Sequence, residues 1–332
     1  MAAAADPGLE REEASMISVA MAVYNGEMYL QEQLDSIFSQ TDPVDEIVIV
    51  DDCSSDGTMD IIQDCLKTHP EIRLYRNDVN LGYKKNFRKA VSLCRGDIIF
   101  LCDQDDRWFP DKVKIMTNIL MQNPDIEVLS SSFEFMDSQS EVYAVKLRKG
   151  MSNNNMYLKP VERGELHNVS FREFCSHNYF QGCSLAVRKE TAGEFLSNWT
   201  DRLPHDWLIA LLASHDHGFW FLNIPLFFYR THTGNTIGVP RGRKHEEWVR
   251  LKFAQDMLAA AETIQKIWPE EYENILFCKE RIEFCRAHIE ALKKRQFMKL
   301  LVQNLNPFYR ELKTGRARVM DLLFCLIPRG KT

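Results

Sequence analysis

Three carboxylates stand within four positions at Asp103-Gln104-Asp105-Asp106, directly after the apolar run Ile98-Ile99-Phe100-Leu101-Cys102. Acids this close repel one another unless a cation or a hydrogen-bond donor compensates them. Aspartate is common in solvated turns after strands, but Trp108, Phe109 and Pro110 follow at once and hold this loop against apolar mass. Hard divalent cations take carboxylate oxygens and leave positions for substrate phosphate oxygens. The loop is therefore either a solvated turn or a site where a metal ion bridges protein to a diphosphate and neutralises charge developing on it.

A second polar cluster, Asp51-Asp52-Cys53-Ser54-Ser55-Asp56-Gly57-Thr58, ends the run Glu46-Ile47-Val48-Ile49-Val50. Asp56 suits the cap of a following helix. Asp51 and Asp52 lie nearer the strand end, where a carboxylate can accept hydrogen bonds from a nucleobase imide or a ribose hydroxyl. Beyond Asn80-Leu81-Gly82 come Lys84, Lys85 and Arg88. That basic cluster either offsets the phosphates of a nucleotide or is a solvated helix face.

The elements that must position these groups follow a strand–helix rhythm. Ile17–Val23, Glu46–Val50, Ile72–Tyr75 and Asp97–Cys102 read as strands, and Tyr29–Gln40, a segment opening at Asp56 and Tyr83–Cys94 as the helices between them. This alternation predicts an α/β fold with a parallel sheet covered by helices. Ligands of such sheets collect at the carboxyl ends of the strands. Three of the four strands end there in polar loops: Tyr24-Asn25-Gly26, Asp51-Asp52 and the acidic loop at Asp103. Farther on, Val128–Met136, Gly182–Val187 and Trp220–Tyr229 read as strands, Ser138–Pro160 as a polar loop, and a segment from Asp206 as a helix. Beyond a boundary at Pro240, two long helices are predicted over 246–268 and 272–301, then a shorter amphipathic stretch over 308–327.

The chain has 332 residues, 45% of them hydrophobic and 27% charged, which excludes disordered, fibrous and repetitive classes. Its net charge of −6 argues against nucleic acid as a partner. From Lys293 to Lys331, ten Lys or Arg stand against Glu311 and Asp321, so a basic tail of about +8 follows a body of about −14. Such a tail either meets anionic lipid or docks on the acidic body. The nine cysteines form no Cys-x-x-Cys pair, and their odd number favours a reducing cytoplasm. No run approaches the roughly 18 apolar residues of a membrane span, and the small, acidic start does not read as a signal peptide.

In order, Ala22-Val23-Tyr24-Asn25-Gly26, Val50-Asp51-Asp52 through Thr58, Asn80-Leu81-Gly82, and Asp103-Gln104-Asp105-Asp106 with Trp108, Pro110 and Lys112 resemble the signature of the family 2 inverting glycosyltransferases. The resemblance covers about residues 16–237. It implies the A-type glycosyltransferase fold: a mainly parallel central sheet flanked by helices, with a nucleotide-binding half (16–125) and an acceptor-binding half (126–238). A flexible N-terminus (1–15) precedes these halves, and a helical, basic extension (239–332) follows them. It further implies that Asp103 meets the donor ribose or the metal, Asp105 the metal, Asp51 or Asp52 the base, and Val23 with Tyr24 the base pocket. Asp106 is expected behind the direct metal ligands.

In the second half, Asp206 of His205-Asp206-Trp207 takes the place of the family's catalytic base, though it also suits a helix cap. Tyr229-Arg230-Thr231-His232-Thr233-Gly234-Asn235 resembles a motif that closes the catalytic domain in bacterial surface-polysaccharide enzymes. His232 is its candidate diphosphate or metal contact, with Arg230 assisting. Gly182 belongs to a segment shaping the sugar pocket, and the Gln104 amide is expected to orient a sugar hydroxyl. The implied reaction is a single displacement with inversion, assisted by Mn²⁺ or Mg²⁺, from a dTDP-rhamnose or UDP-hexose donor. The acceptor is expected to be a saccharide or a polyprenyl-diphosphate-linked saccharide, and the enzyme cytoplasmic, resting peripherally on the inner membrane or dimerising through its long helices. An inactive saccharide-binding scaffold would be expected to lack the acids at 52, 103, 105 and 206, which are all present. A nucleotidyltransferase would carry a Gly-rich basic loop where Tyr24-Asn25-Gly26-Glu27 stands. A zinc site at His205, His215 and His217 lacks regular spacing and cysteine partners.

Overall fold

The four apolar runs of the first hundred residues lie side by side. β1 (Ile17–Val23), β2 (Glu46–Asp51), β3 (Ile72–Arg76) and β4 (Ile98–Cys102) are parallel, in the order β3-β2-β1-β4. They are joined through α1 (Leu30–Phe38), α2 (Thr58–Cys65) and α3 (Tyr83–Leu93). The computed structural model describes residues 15–147, 157, 159–232, 243–270 and 272–326.

Alternate side chains of these strands enter opposite layers, as the two-residue period of a strand requires. Ile47 and Ile49 pack with Leu30, Leu34 and Ile37 of α1, whereas Val48 and Val50 pack with Phe87, Ala90 and Val91 of α3. Burial on both faces is why β1, β2 and β4 read as nearly continuous apolar runs, whereas β3, at the sheet edge, is mostly half-buried.

Past β4 the sheet becomes mixed. A short β5 (Arg107–Trp108) and α4 (Lys112–Gln122) lead to β6 (Val128–Met136), β7 (Val142–Tyr143) and β8 (Leu166–Asn168). After α5 (Phe171–Phe174) come β9 (Leu185–Arg188), α6 (Lys189–Ser197), α7 (His205–His215) and β10 (Phe219–Arg230). β9 is antiparallel to both β4 and β6, and β10 runs parallel to β6 with irregular register around Pro225. The result is a ten-stranded mixed sheet flanked by helices.

α8 (Arg243–Ile267) and α9 (Tyr272–Lys293) cover one face, where Ala260, Ile264, Cys278 and Ile282 join the cluster containing α7. The expected helix over 272–301 is in fact two. α9 stops at Lys293, Arg295 adopts a left-handed φ of 55°, and α10 (Phe297–Gln303) starts afresh. The Arg295 guanidinium, bonded to the Phe324 carbonyl and resting on its ring, holds that turn. The stretch over 308–327 likewise divides into α11 (Pro307–Leu312), entered at the N-cap Asn306, and α12 (Gly315–Leu326). The strand expected from Gly182 begins at Leu185, because 182–184 form a 3₁₀ turn. All nine cysteines are free. Among the described residues no helix is long and apolar enough to cross a membrane. Residues 1–14, the boundary at 238–240, Gly234 and Asn235 lie outside the described residues.

Candidate active site

β1 and β4 are adjacent and parallel, so the loops leaving them emerge together at one edge of the sheet. Gln104 ties them: its Oε1 accepts from the Tyr24 amide at 2.8 Å and its Nε2 donates to the Tyr24 carbonyl at 2.9 Å. Gly26 allows this approach, since a Cβ there would sit 2.6 Å from Gln104 Oε1. The Gln104 amide, expected to orient a sugar hydroxyl, bonds the Tyr24 peptide through both of its ends. Tyr24 itself is exposed at the rim, but the Val23 side chain is wholly inside the core and cannot line a base pocket.

Asp51 and Asp52 are both buried. The Asp51 carboxylate lies 3.1 Å from Arg76 Nε and accepts from the Ser54 amide. Asp52 Oδ1 accepts from Asn77 Nδ2 at 2.7 Å and the Leu81 amide at 2.8 Å, and Oδ2 from the Gly82 amide at 2.8 Å. Asp52 thus fixes the Asn80-Leu81-Gly82 turn beside the crevice, where Gly82 takes a φ of 79° that favours glycine.

The acidic loop has an inner and an outer part. Inside, ligand atoms of Asp103, Asp106 and Cys183 all lie within 4.8 Å of one another. Burial first, then the charge of Asp105, push the Asp103 carboxyl up to about 7. The same causes raise Asp106 well above the carboxylate range. Asp106 Oδ1 accepts from the Arg230 amide at 3.1 Å, while its buried Oδ2 has no partner among the described residues. An orphaned carboxylate oxygen amid other acids is what a cation or a retained proton satisfies, so this loop fits a divalent ion. Lys112 supplies internal compensation. Wholly buried, it lies over the Trp108 and Phe227 rings at 4.2 and 4.5 Å and donates to the Cys183 carbonyl at 2.8 Å. Burial lowers its ammonium to about 8.

On the outer side, His232 Nε2 lies 2.8 Å from Asp105 Oδ2, with the Tyr29 ring 4.9 Å from the imidazole. Arg230 does not reach toward a diphosphate, which corrects that expectation. It is fully buried, donates to the Asp105 carbonyl at 2.7 Å and to Ser140 Oγ at 2.8 Å, pairs with Glu32, and stacks over Tyr29. Burial works against the Glu32 carboxylate, yet Ser140 and Arg230 outweigh it and hold it below its ordinary range. Glu32, Tyr29 and Ser140 escaped the sequence reading, because only the fold brings them to Arg230.

Asp206 lies in the first turn of α7, which starts one residue earlier, after Pro204, so it does not cap that helix. It is nearly buried, accepts from the Trp207 amide at 2.8 Å, and its charge is felt at Asp103. Beside it, His205 stacks on Phe87 at 4.0 Å, and burial depresses its pKa. Gly182 permits this packing, since a Cβ there would come within 2.6 Å of His205 Nε2. The basic cluster divides. Lys84 Nζ donates to the Asp201 carbonyl at 2.7 Å, whereas Lys85 lines a separate groove with Arg88, Lys89 and Trp199. The structure does not join these two lysines to Asp103 and Asp105.

Residues 18–179 match the family model described as "Glycosyl transferase family 2". The dTDP-rhamnosyl transferase RfbG of Shigella flexneri is 30% identical over 235 residues, covering 66% of this chain and 73% of that protein. Two solved structures share the fold at low identity. S. aureus TarS in complex with UDP-GlcNAc aligns with a TM-score of 0.55 at 16% identity, over 94% of this chain and 87% of that one. The mannosyltransferase PcManGT from Pyrobaculum calidifontis, in complex with GDP-Man and Mn²⁺, aligns with a TM-score of 0.50 at 18% identity, over 95% and 86%.

Proposed function

The chain belongs to glycosyl transferase family 2 and is a glycosyltransferase of A-type fold, and we propose that it moves a sugar from a nucleotide-sugar donor to a saccharide acceptor with inversion at the anomeric carbon. The observation that carries this reading is the contact, at one sheet edge, of the Asp103–Asp106 loop with the closing motif, where His232 Nε2 lies 2.8 Å from Asp105 Oδ2.

Tyr24 stands at the rim for the base, with Asp51 and Asp52 behind it stiffening the loops that border it. Asp103, Asp105 and His232 would hold a divalent cation, Mn²⁺ or Mg²⁺, whose charge stabilises the departing diphosphate. Asp206 accepts the proton of the acceptor hydroxyl as that oxygen attacks the face opposite the diphosphate. A carboxylate serves because the proton moves during attack, not before it. Lys84, bonded beside Asp201 and close enough to feel the Asp206 charge, belongs to the acceptor side.

Similarity to a dTDP-rhamnosyl transferase favours dTDP-rhamnose as donor, ahead of UDP-hexoses. The acceptor is a saccharide, free or linked to polyprenyl diphosphate, in the building of a surface polysaccharide on the cytoplasmic side of the membrane. The test is nucleotide release from a panel of sugar nucleotides with Mn²⁺ or Mg²⁺, with and without a polyprenyl-diphosphate-linked saccharide. Acceptor-dependent release of dTDP from dTDP-rhamnose is expected. Release only from another donor would overturn the choice of sugar, and release from none would overturn the transferase reading of this site.

A further inference from the structure

α10 and α12 each carry apolar side chains on two opposite sides. On α10, Leu300 is buried while Met298, Leu301 and Val302 are exposed, and Leu305 continues their line just beyond the helix. Positions 298, 301, 302 and 305 are one helical stripe. On α12, Asp321 and Phe324 face inward, whereas Val319, Leu323 and Leu326 repeat at helical spacing on the exposed side. Leu300 and Phe324 meet in one apolar cluster with Ala291 and Leu292, so both outer stripes belong to a single packed unit.

Among the described residues, 19 large hydrophobic side chains are exposed, and eight of them fall between Met298 and Leu326. Scattered exposed hydrophobics are ordinary, but a concentration of them marks an interaction surface.

The charge around these stripes selects the partner. From Lys293 to Leu326 there are eight Lys or Arg and two acids. One acid, Asp321, is withdrawn into the interior, where Arg250, Tyr309 and Lys313 bind it. Lys294 and Lys299 share Glu290 of α9, while Arg310 and Arg316 stand exposed. A two-fold pairing of this face with a second copy would set the same bases against one another. Apolar stripes bordered by bases match the headgroup boundary of an anionic bilayer, where apolar side chains enter the acyl layer and cations meet phosphates.

We propose that the outer face of α10 and α12 docks the enzyme on an anionic lipid bilayer, lying in its interface without crossing it. The proposal stands on this helical unit and does not depend on which sugar is transferred.

The test uses the full chain and sedimentation with two kinds of vesicle, one of phosphatidylglycerol and phosphatidylcholine in equal parts, the other of phosphatidylcholine only. The wild type is expected to bind the anionic vesicles and to be released by salt. Leu301→Glu with Leu323→Glu should weaken that binding by about tenfold or more, with the melting temperature unchanged because both side chains are exposed. Lys299→Glu with Arg316→Glu should weaken it without touching the stripes. No binding by the wild type, or equal binding by wild type and the Leu301/Leu323 variant, would overturn the proposal. So would a wild-type dimer that the same variant dissociates, since the face would then belong to a second copy.

Discussion

His232 Nε2 and Asp105 Oδ2 are 2.8 Å apart although 127 positions separate them in the chain. The contact joins the loop after β4 to the residues leaving β10, two strands on opposite sides of β9 and β6 in the sheet. It closes the outer side of the acidic loop and places an imidazole beside the carboxylates proposed to hold a cation.

If His232 helps to hold that cation, His232→Gln should weaken Mn²⁺ binding by about 10- to 100-fold, the range seen when a group supporting a metal site is lost. Electron paramagnetic resonance of free Mn²⁺, titrated with protein and dTDP, measures this directly. An unchanged affinity would leave His232 as an anchor for the loop only.

Arg230 is a different case, since its guanidinium faces protein on every described contact. Arg230→Met should remove the Glu32 pair together with the bonds to the Asp105 carbonyl and Ser140. A loss of about 1–3 kcal/mol in urea unfolding is expected, the scale for leaving buried hydrogen-bond partners unsatisfied, since the half-buried Glu32 keeps Arg107, with metal affinity falling as the loop loosens. A stable variant with normal metal affinity would refute this bracing role.

Asp206→Asn keeps the shape of the side chain and its acceptance of the Trp207 amide, but not a useful basicity. Single-turnover transfer should slow by about 100- to 10,000-fold, as expected for a lost general base, while calorimetry reports nearly normal donor binding. Loss of donor binding with the same variant would assign Asp206 to the donor side instead.

Asp103 makes the stability of the metal-free protein depend on pH. Burial, and then the charge of Asp105, push its carboxyl from the ordinary 3.8 up to about 7 in the fold. Between these values the folded state holds more protons than the unfolded one, so this group's contribution makes stability fall as pH rises through that window. Asp103→Asn should flatten the decline in thermal melts of chelator-treated protein. Added Mn²⁺ should stabilise the wild type more at pH 8 than at pH 5. A decline of the same steepness in the variant would place its origin elsewhere.

The place of the Asp103–Asp106 loop at a sheet edge was legible in the sequence because apolar runs buried on both faces announce parallel strands, and the polar residues ending those runs must emerge at one edge. The position of each acid at a strand end follows from local pattern alone. The same locality explains why Val128–Met136 was legible to the residue, and why the break in the long helix at Arg295 was not. That turn depends on Phe324, which is 29 positions away.

What only the tertiary structure decided is which polar groups remain free to act. Gln104, Asp52 and Arg230 have the residue types of ligand contacts, yet the fold engages them on the Tyr24 peptide, the turn at Leu81 and Gly82, and the Asp105 carbonyl. A buried polar group without a partner is costly, so distant chain segments that pack together also satisfy one another's donors and acceptors. Residue type and spacing show what a side chain can bind, and packing settles what it already holds.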